Sequence, residues 1–127
     1  MLSLRPVDFY SIQHWFVDFQ KKSKCYELPP DEAELSGVYQ NEKLIGYFIT
    51  IGYNYTDLVI LQGYLAPEVR HENISNKAMN ILEERAKEAG YKRIVIETQR
   101  SHKSYIKFMK SMGYGVIKTI FSKEVGK

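Results

Sequence analysis

The hydrophobic period of the chain changes at about residue 74, and this change limits the possible folds more than any other feature. Before it, "LSGVYQ", "LIGYFITIGYN" and "LVILQGYL" have the apolar, β-branched and aromatic character of strands, and the polar turns "NEK" and "NYTD" separate them. After it, apolar residues recur at helical spacing. These are Ile74, Ala78, Ile81, Leu82 and Ala86. The pattern predicts an antiparallel meander followed by a long amphipathic helix that ends at Gly90.

The N-terminal third predicts a strand, a helix and a loop. "LSL" (2–4) can open the chain as a short strand, and "DFYSIQHWFVDFQ" follows with an apolar helical face beneath a plausible Asp8 cap. That face consists of Phe9, Ile12, Phe16 and Phe19. The next stretch, "KKSKCYELPPDEAE", is polar and broken by Pro29 and Pro30. We expect a loop or a short helical turn there, of the kind that borders a binding site.

The C-terminal third predicts a strand, a helix and a second strand. "RIVIET" is typical of a short strand buried in a sheet, and "HKSYIKFMKSMGY" of a helix closed by Gly113. "GVIKTIFSK" alternates like an edge strand. The whole order is β-α-(loop)-β-β-β-α-β-α-β, which predicts an α/β fold with a mixed central sheet flanked by helices. The strand at 93–98 should run parallel to the strand that ends near Leu65.

Length and composition exclude several classes of protein. At 127 residues and 44% hydrophobic, the chain has the size of one domain, residues 1–127, with one buried core. The single cysteine, Cys25, cannot form an internal disulfide, and no Cys/His spacing resembles a metal site, so we expect no metal. The apolar stretches are too short or too polar to cross a bilayer, and the N-terminus does not look like a signal peptide. We therefore expect a cytoplasmic protein.

Two stretches and the order of elements resemble the GNAT (N-acetyltransferase) superfamily over nearly the whole chain. "LQGYLAPEVRHENISNKAMNILEERAKEAGYKRIVIET" matches the family's strand, phosphate loop, helix and next strand. "HKSYIKFMKSMGY" matches its last helix with the terminal Gly-aromatic pair. The Lys103–Ser104 pair before that helix is similar to small phage-encoded GNAT-like proteins, which would place the protein in a host cytoplasm.

The resemblance implies acetyl-CoA as co-substrate, with its pyrophosphate on backbone N–H groups at the start of the long helix. The family pattern is Gln or Arg, two residues, Gly, one residue, Gly or Ala. Here Arg70 matches, but Asn73 and Ser75 replace the glycines and Glu72 would repel phosphate. Asn tolerates left-handed φ and Ser is small, so these two residues are compatible with the geometry of the loop. The candidate cofactor-binding residues are Leu65, Arg70, His71, Asn73, Ile74, Ser75 and Asn76. Alternatively, Asn73 or Ser75 is an ordinary N-cap.

Acyl transfer to an amine requires a base, a donor for the carbonyl oxygen and an acid for the leaving thiolate. The resemblance places the oxygen donor on a backbone N–H around Tyr64 or Leu65. The family's usual acid, a Tyr, is replaced here by Met109. Tyr105 and Ser104 are the candidate substitutes, although Tyr105 is equally explained by packing against the sheet.

Glu97 is the leading candidate for the base, because it ends the otherwise apolar strand "RIVIET", where a carboxylate has a chance of a raised pKa. A solvated strand end explains it equally well. Asp57 and Gln62 are the other polar side chains available on the central strands, while His71 and His102 are best explained as surface residues.

The sequence thus predicts an acyl-CoA-dependent N-acyltransferase that moves an acetyl group to an amine of unknown acceptor, as a monomer or homodimer. The acceptor could be a small molecule, a protein or a nucleic acid. Nucleic acid is considered because basic residues interleave with aromatics in the C-terminal stretch, although a solvated helix face explains this equally well. The alternatives are a catalytically degenerate GNAT-fold binding protein and a phage acyltransferase that modifies nucleic acids or nucleotides.

Overall fold

The computed structural model describes residues 1–23, 28–70, 73–96, 107, 109–115 and 123. Its strands are β1 (Leu2–Pro6), β2 (Glu34–Gln40), β3 (Lys43–Tyr53), β4 (Asp57–Leu65) and β5 (Arg93–Ile96). Its long helices are α1 (Phe9–Ser23) and α2 (Ile74–Glu88), and a short 3-10 turn, Pro67–Val69, precedes α2. Residues 107 and 109–111 are helical, as predicted for the last helix. The predicted strand "GVIKTIFSK" lies almost entirely outside the described residues.

The sheet is mixed, with strands in the order β1-β2-β3-β4-β5. Strands β1 to β4 form an antiparallel meander, in which Tyr47 of β3 lies opposite Tyr64 of β4. Strand β5 runs parallel to β4 and pairs with its first four residues, from Asp57 opposite Arg93 to Ile60 opposite Ile96. These pairings confirm the predicted meander and the predicted parallel crossover through α2.

The turns and helix ends follow the predicted chemistry. The Asp8 carboxylate caps α1, because Oδ1 accepts hydrogen bonds from the backbone N–H of Ser11 at 2.9 Å and from its hydroxyl at 2.8 Å. Helix α2 stops at Gly90, whose φ is +94°. The Gly90 N–H donates to Lys87 and the Tyr91 N–H to Ala86, which is a Schellman ending.

Gly113 ends the last helix in the same way, with φ of +90°. Its N–H donates to the Lys110 carbonyl at 3.0 Å, and the N–H of Tyr114 donates to Met109 at 3.1 Å. The predicted Gly-aromatic ending is confirmed at this position. The Tyr114 hydroxyl then donates to the Glu83 carboxylate at 2.7 Å, which ties the end of this helix to α2.

Each face of the sheet carries its own apolar cluster. The cluster beneath α2 contains Phe48 together with the buried side of that helix, which consists of Ile74, Ala78, Met79, Leu82 and Ala86. The cluster beneath α1 joins Ile12 and Phe16 to Tyr47, Ile49 and Tyr64. Met79 is buried although the pattern did not predict it, and the predicted Ile81 is only partly buried. The apolar residues of β5 are also partly buried rather than fully buried as predicted.

Two bulges interrupt the pairing, and the residue pattern predicts neither of them. Between Val38 and Tyr39 of β2 the partner on β3 skips Ile45. Between Ile49 and Thr50 of β3 the partner on β4 skips Leu61. A bulge bends its strand and changes which side chains face each side, so the bulge at Leu61 sets the direction of the second half of β4.

None of the helices in the described part of the chain is long and apolar enough to cross a membrane.

Candidate active site

At the end of β4, backbone polar groups point in the plane of the sheet, away from β3. The N–H of Ala66 donates to the carbonyl of Ile45 on β3 at 2.8 Å. Hydrogen-bonded and free positions alternate along an antiparallel ladder, and Leu65 lies opposite Gly46, one position before this bond. The N–H and the carbonyl of Leu65 therefore point away from β3. This alternation favours Leu65 over Tyr64 as an outward-facing donor.

The side of β4 towards which Leu65 points is not covered by a described strand. Within the described residues, strand β5 pairs with β4 as far as Ile60, and the bulge at Leu61 follows immediately. Bulges are common next to active sites because they redirect a strand and end its pairing. Among the described residues, Leu61–Leu65 therefore has no partner strand on this side, and we call this segment the open edge. Its outward backbone groups are available to bind a ligand.

Close packing of the two backbones holds this end of β4 against β3. A Cβ added at Gly46 would lie 2.2 Å from the carbonyl oxygen of Tyr64 and 3.1 Å from the Cα of Leu65. Glycine is required at this point because any side chain would push the strands apart. The position of Leu65 thus depends on a glycine in the neighbouring strand.

Helix α2 begins a short distance after this edge, through a residue in left-handed conformation. Asn73 precedes the helix with φ of 58° and ψ of 26°, the conformation for which the family pattern has glycine. Its side chain makes no capping bond to the described backbone, and instead Asn73 Oδ1 accepts a hydrogen bond from Asn76 Nδ2 at 2.8 Å. Asn73 is therefore the N-cap by position, but it does not act as an ordinary side-chain cap.

The start of α2 offers donors to an anion. The first backbone N–H groups of a helix lack intrahelical partners and lie at the positive end of its dipole. In α2 these are the amides that follow Asn73, on Ile74, Ser75 and Asn76. The buried Oδ1 of Asn76 has no hydrogen-bond partner among the described residues, but it is an acceptor and adds nothing to the binding of an anion.

Arg70 lies between the open edge and α2. Its Nε donates to the Leu65 carbonyl at 2.9 Å, and its guanidinium lies 5.0 Å from the centre of the Tyr64 ring. We predicted that Arg70 adds positive charge to the pyrophosphate site, and that role stays a prediction. The contacts of the side chain are with the end of β4.

Asp18 of α1 reaches the same end of β4 from the other side. Tyr64 is 7% exposed, and its hydroxyl donates to Asp18 Oδ2 at 3.0 Å. The Nζ of Lys22 lies 3.2 Å from the same oxygen. The bond from Tyr64, with Lys22 second, lowers the pKa of Asp18, whereas burial and the bond to Asp18 raise the pKa of Tyr64. The Tyr64 side chain is therefore a neutral donor to a carboxylate.

Aromatic rings line the α1 side of this end of β4. The ring of Tyr47 stacks on Tyr64 with centroids 5.7 Å apart, and Trp15 lies 5.9 Å from Tyr64. Gln62 Nε2 donates to the Tyr47 hydroxyl at 2.6 Å, and burial raises the pKa of that phenol. Gln62, a candidate polar group on the strand, is therefore engaged with Tyr47.

Asp57 lies at the opposite end of β4 and is part of a structural ion pair. It is 8% exposed, and its carboxylate accepts bonds from Arg93 Nη2 at 2.7 Å and Nε at 3.2 Å. At about 3.3 Å per residue, the eight steps from Asp57 to Leu65 span about 26 Å. Asp57 is thus too far away to act as a base at the open edge.

Several of the predicted site residues fall outside the part of the chain that the structure describes. Glu97, Ser104, Tyr105 and His71 lie outside the described residues, as do Glu72 and His102. Within the described part of the chain, no three His, Cys, Asp or Glu side chains lie close enough to hold a metal ion. Asp18 is the residue that sequence reasoning missed, and its only signal was an acidic position one turn before Lys22 in α1.

Comparison with known proteins finds one matching family and many similar folds. The profile of the acetyltransferase (GNAT) family matches residues 4–114. A putative acetyltransferase (YycN) from Bacillus subtilis superimposes with a TM-score of 0.77 over 100% of both chains, at 13% identity. A ribosomal-protein-alanine N-acetyltransferase from Brucella melitensis biovar Abortus 2308 gives 0.71, covering 98% of this chain and 99% of the other, at 12% identity.

A third solved structure is a GNAT family acetyltransferase from Elizabethkingia anophelis with acetyl-CoA bound. It gives a TM-score of 0.68 at 16% identity and covers 92% of this chain and 78% of the other. At these identities the likeness to solved structures concerns the fold. No curated protein matches the sequence significantly.

Proposed function

Because this chain belongs to the acetyltransferase (GNAT) family, we propose that it transfers an acetyl group from acetyl-CoA to the amine of an acceptor. Acetyl-CoA is the co-substrate that the family uses, and the relative from Elizabethkingia anophelis has acetyl-CoA bound. The single observation that carries the proposal is the arrangement of the open edge at Leu61–Leu65 directly before the start of α2. The open edge can bind a thioester, and the start of α2 can bind a pyrophosphate.

The pyrophosphate would bind at the start of α2. The amides that follow Asn73 supply hydrogen bonds and the positive end of the helix dipole, which suits an anion without any metal. The left-handed φ of Asn73 supports this assignment, because it lets the backbone turn as it would at a glycine. The side chains of Asn73 and Ser75 and the charge of Glu72 should make binding weaker than in a loop with glycines.

The acetyl group would bind along the open edge of β4. As the amine attacks the thioester, a C–N bond forms, the C–S bond breaks and negative charge develops on the carbonyl oxygen. The outward N–H of Leu65 is the donor that can stabilise this charge. The amine proton goes to a base and the thiolate takes one from an acid. Glu97 for the base, and Tyr105 or Ser104 for the acid, remain our candidates.

Calorimetry with acetyl-CoA, followed by measurement of free thiol released in the presence of amines, tests this proposal. The panel should include polyamines, aminoglycosides, peptides with a free N-terminus and nucleotides, beside matched compounds whose amine is already acetylated. We expect binding of acetyl-CoA, and release of coenzyme A with at least one free amine only. Absence of heat at millimolar acetyl-CoA contradicts the proposal, and binding without thiol release contradicts the assignment as an enzyme.

Leu65→Pro tests the proposed donor. The substitution removes the outward N–H but no bond of the β3–β4 ladder, so the fold should tolerate it. We expect kcat to fall about 100-fold, the usual effect of losing one oxyanion donor, while calorimetry shows unchanged binding of acetyl-CoA. Unchanged kcat in the folded variant would contradict the role of Leu65.

A further inference from the structure

The outward-facing residue at the end of β4 presents two backbone groups of opposite polarity. In a strand, the N–H and the carbonyl of one residue point to the same side. Leu65 therefore offers a donor that would attract the oxygen of a bound thioester and, next to it, an acceptor that would repel it. An exposed Leu65 carbonyl would weaken any stabilisation that the Leu65 N–H gives to developing negative charge.

Arg70 forms a hydrogen bond to this carbonyl. Its Nε donates to the Leu65 oxygen at 2.9 Å, so that the lone pairs face a cation. The other end of the same peptide is held as well, because the Ala66 N–H donates to Ile45 at 2.8 Å. The peptide between Leu65 and Ala66 is thus fixed on both sides, by β3 and by Arg70.

The position of Arg70 is in turn fixed by Tyr64 and α1. The guanidinium lies 5.0 Å from the centre of the Tyr64 ring, whose electron-rich face attracts a cation. The Tyr64 hydroxyl donates a hydrogen bond to Asp18 at 3.0 Å, and the negative charge of Asp18 also attracts the Arg70 guanidinium. A chain of contacts therefore runs from α1 through Tyr64 and Arg70 to the Leu65 carbonyl.

We propose that Arg70 is a positioning residue. By donating a hydrogen bond to the Leu65 carbonyl, it leaves the Leu65 N–H as the group that contacts the thioester oxygen. Its principal role is in the chemical step and not in binding pyrophosphate. This inference rests on the proposed function for its effect on turnover. Its effect on the Leu65–Ala66 peptide can be measured without any ligand.

Three substitutions at Arg70 separate a hydrogen bond from a charge. In Arg70→Gln the amide Nε2 stands at the same number of bonds from Cα as the Arg Nε, so the donor is kept and the charge is lost. In Arg70→Lys the charge is kept, but a methylene stands at the Nε position. Arg70→Met keeps the length of the side chain and loses both properties.

For acetyl transfer, we expect Arg70→Gln to keep kcat within about threefold of the wild type. Arg70→Lys and Arg70→Met should each lose about tenfold, the effect of one net hydrogen bond. The KM for acetyl-CoA should stay nearly constant in all three. If Arg70→Lys is active and Arg70→Gln shows a raised KM, Arg70 binds the pyrophosphate by its charge and the inference is wrong.

Amide hydrogen exchange in the free protein gives the independent readout. Loss of the Arg70 bond should loosen the Leu65–Ala66 peptide, so exchange of the Ala66 N–H should be about tenfold faster in Arg70→Met and Arg70→Lys than in Arg70→Gln. The amide of Ile51, on β3 far from Arg70, is the control and should not change. Equal Ala66 exchange in all three variants overturns the inference. A wild type that does not bind acetyl-CoA overturns the proposed function instead, and leaves the exchange result to be judged by itself.

Discussion

Asp57 shows how one side chain makes the stability of this protein depend on pH. Its carboxylate is nearly buried and is held by two hydrogen bonds from Arg93, which lower its pKa. A carboxyl group whose folded pKa is lower than its unfolded value stabilises the fold above the unfolded pKa. That contribution is lost as the pH falls through the folded pKa.

We therefore expect Asp57→Asn to melt several degrees below the wild type at pH 7. The difference should shrink as the pH falls below about 4, the pKa of an unfolded Asp. Thermal melting at pH 7, 5, 4 and 3 measures it. Glu42→Gln is the matched control, because Glu42 forms an exposed ion pair with Arg5 and should change melting little. A constant difference between pH 7 and pH 3 would contradict the linkage.

Residues of the candidate site could be predicted where the site is local in sequence. Leu65, Arg70 and Asn73 follow one another within a single connection between strand and helix, so the pattern of that connection was enough to select them as candidates. Asp18 could not be predicted, because it is 46 positions from Tyr64 and meets it only when α1 packs on the sheet. The partners of Arg70 were missed for a related reason, since side-chain direction depends on the path of the loop.

At the scale of elements, the β3–β4 turn holds one residue in a backbone conformation that is unfavourable for its type. Asn54 and Tyr55 both have positive φ, at 54° and 62°, and the Thr56 N–H donates to Tyr53 across them. Positive φ at both central residues is typical of a type I′ turn, which prefers Asn followed by Gly. Tyr55 stands in the Gly position and is 98% exposed, so its ring gains little from packing.

Tyr55→Gly should therefore stabilise the protein. A non-glycine residue in left-handed conformation costs roughly 1–2 kcal/mol, and glycine gives back part of this through the entropy of the unfolded chain. We expect a net gain of about 0.5 kcal/mol in the free energy of unfolding, measured by urea denaturation. Asn54→Gly is the control with little expected change, since Asn already tolerates positive φ. A loss of stability in Tyr55→Gly would show that the ring makes a contact worth more than the strain.

The elements themselves could be predicted better than their irregularities. Strands, hairpins and helix ends are encoded by period and by Gly, Asn and Asp at the turns, as Gly90 and Gly113 show. The bulges at Ile45 and Leu61 insert one residue each into strands that remain apolar throughout, so the pattern of residue types hardly changes. The bulge at Leu61 stands at the start of the open edge of β4, so the path of this segment could not be predicted from sequence alone.

At the scale of the whole molecule, the binding of acetyl-CoA should be linked to the stability of the fold. The proposed site consists of the end of β4 and the start of α2, and both elements contribute to the cluster that contains Ile74 and Ala66. A ligand that binds only the folded state stabilises it by about 2.7 kcal/mol at one hundred times its Kd. For a chain of this size, that corresponds to a rise in Tm of about 10 °C.

Two asparagines with nearly the same positive φ make this prediction specific. Asn73 has φ of 58° at the start of α2, and Asn54 has φ of 54° at the far end of β4. Asn73→Val and Asn54→Val should each lower the Tm of the free protein, because a β-branched residue is strained at positive φ. Only Asn73→Val should also lose most of the rise in Tm that acetyl-CoA produces, because the amides of the first turn of α2 would no longer be presented together. Differential scanning fluorimetry with and without acetyl-CoA measures both effects. A full rise in Asn73→Val would place the cofactor elsewhere, and an equal loss in both variants would reduce the effect to general destabilisation.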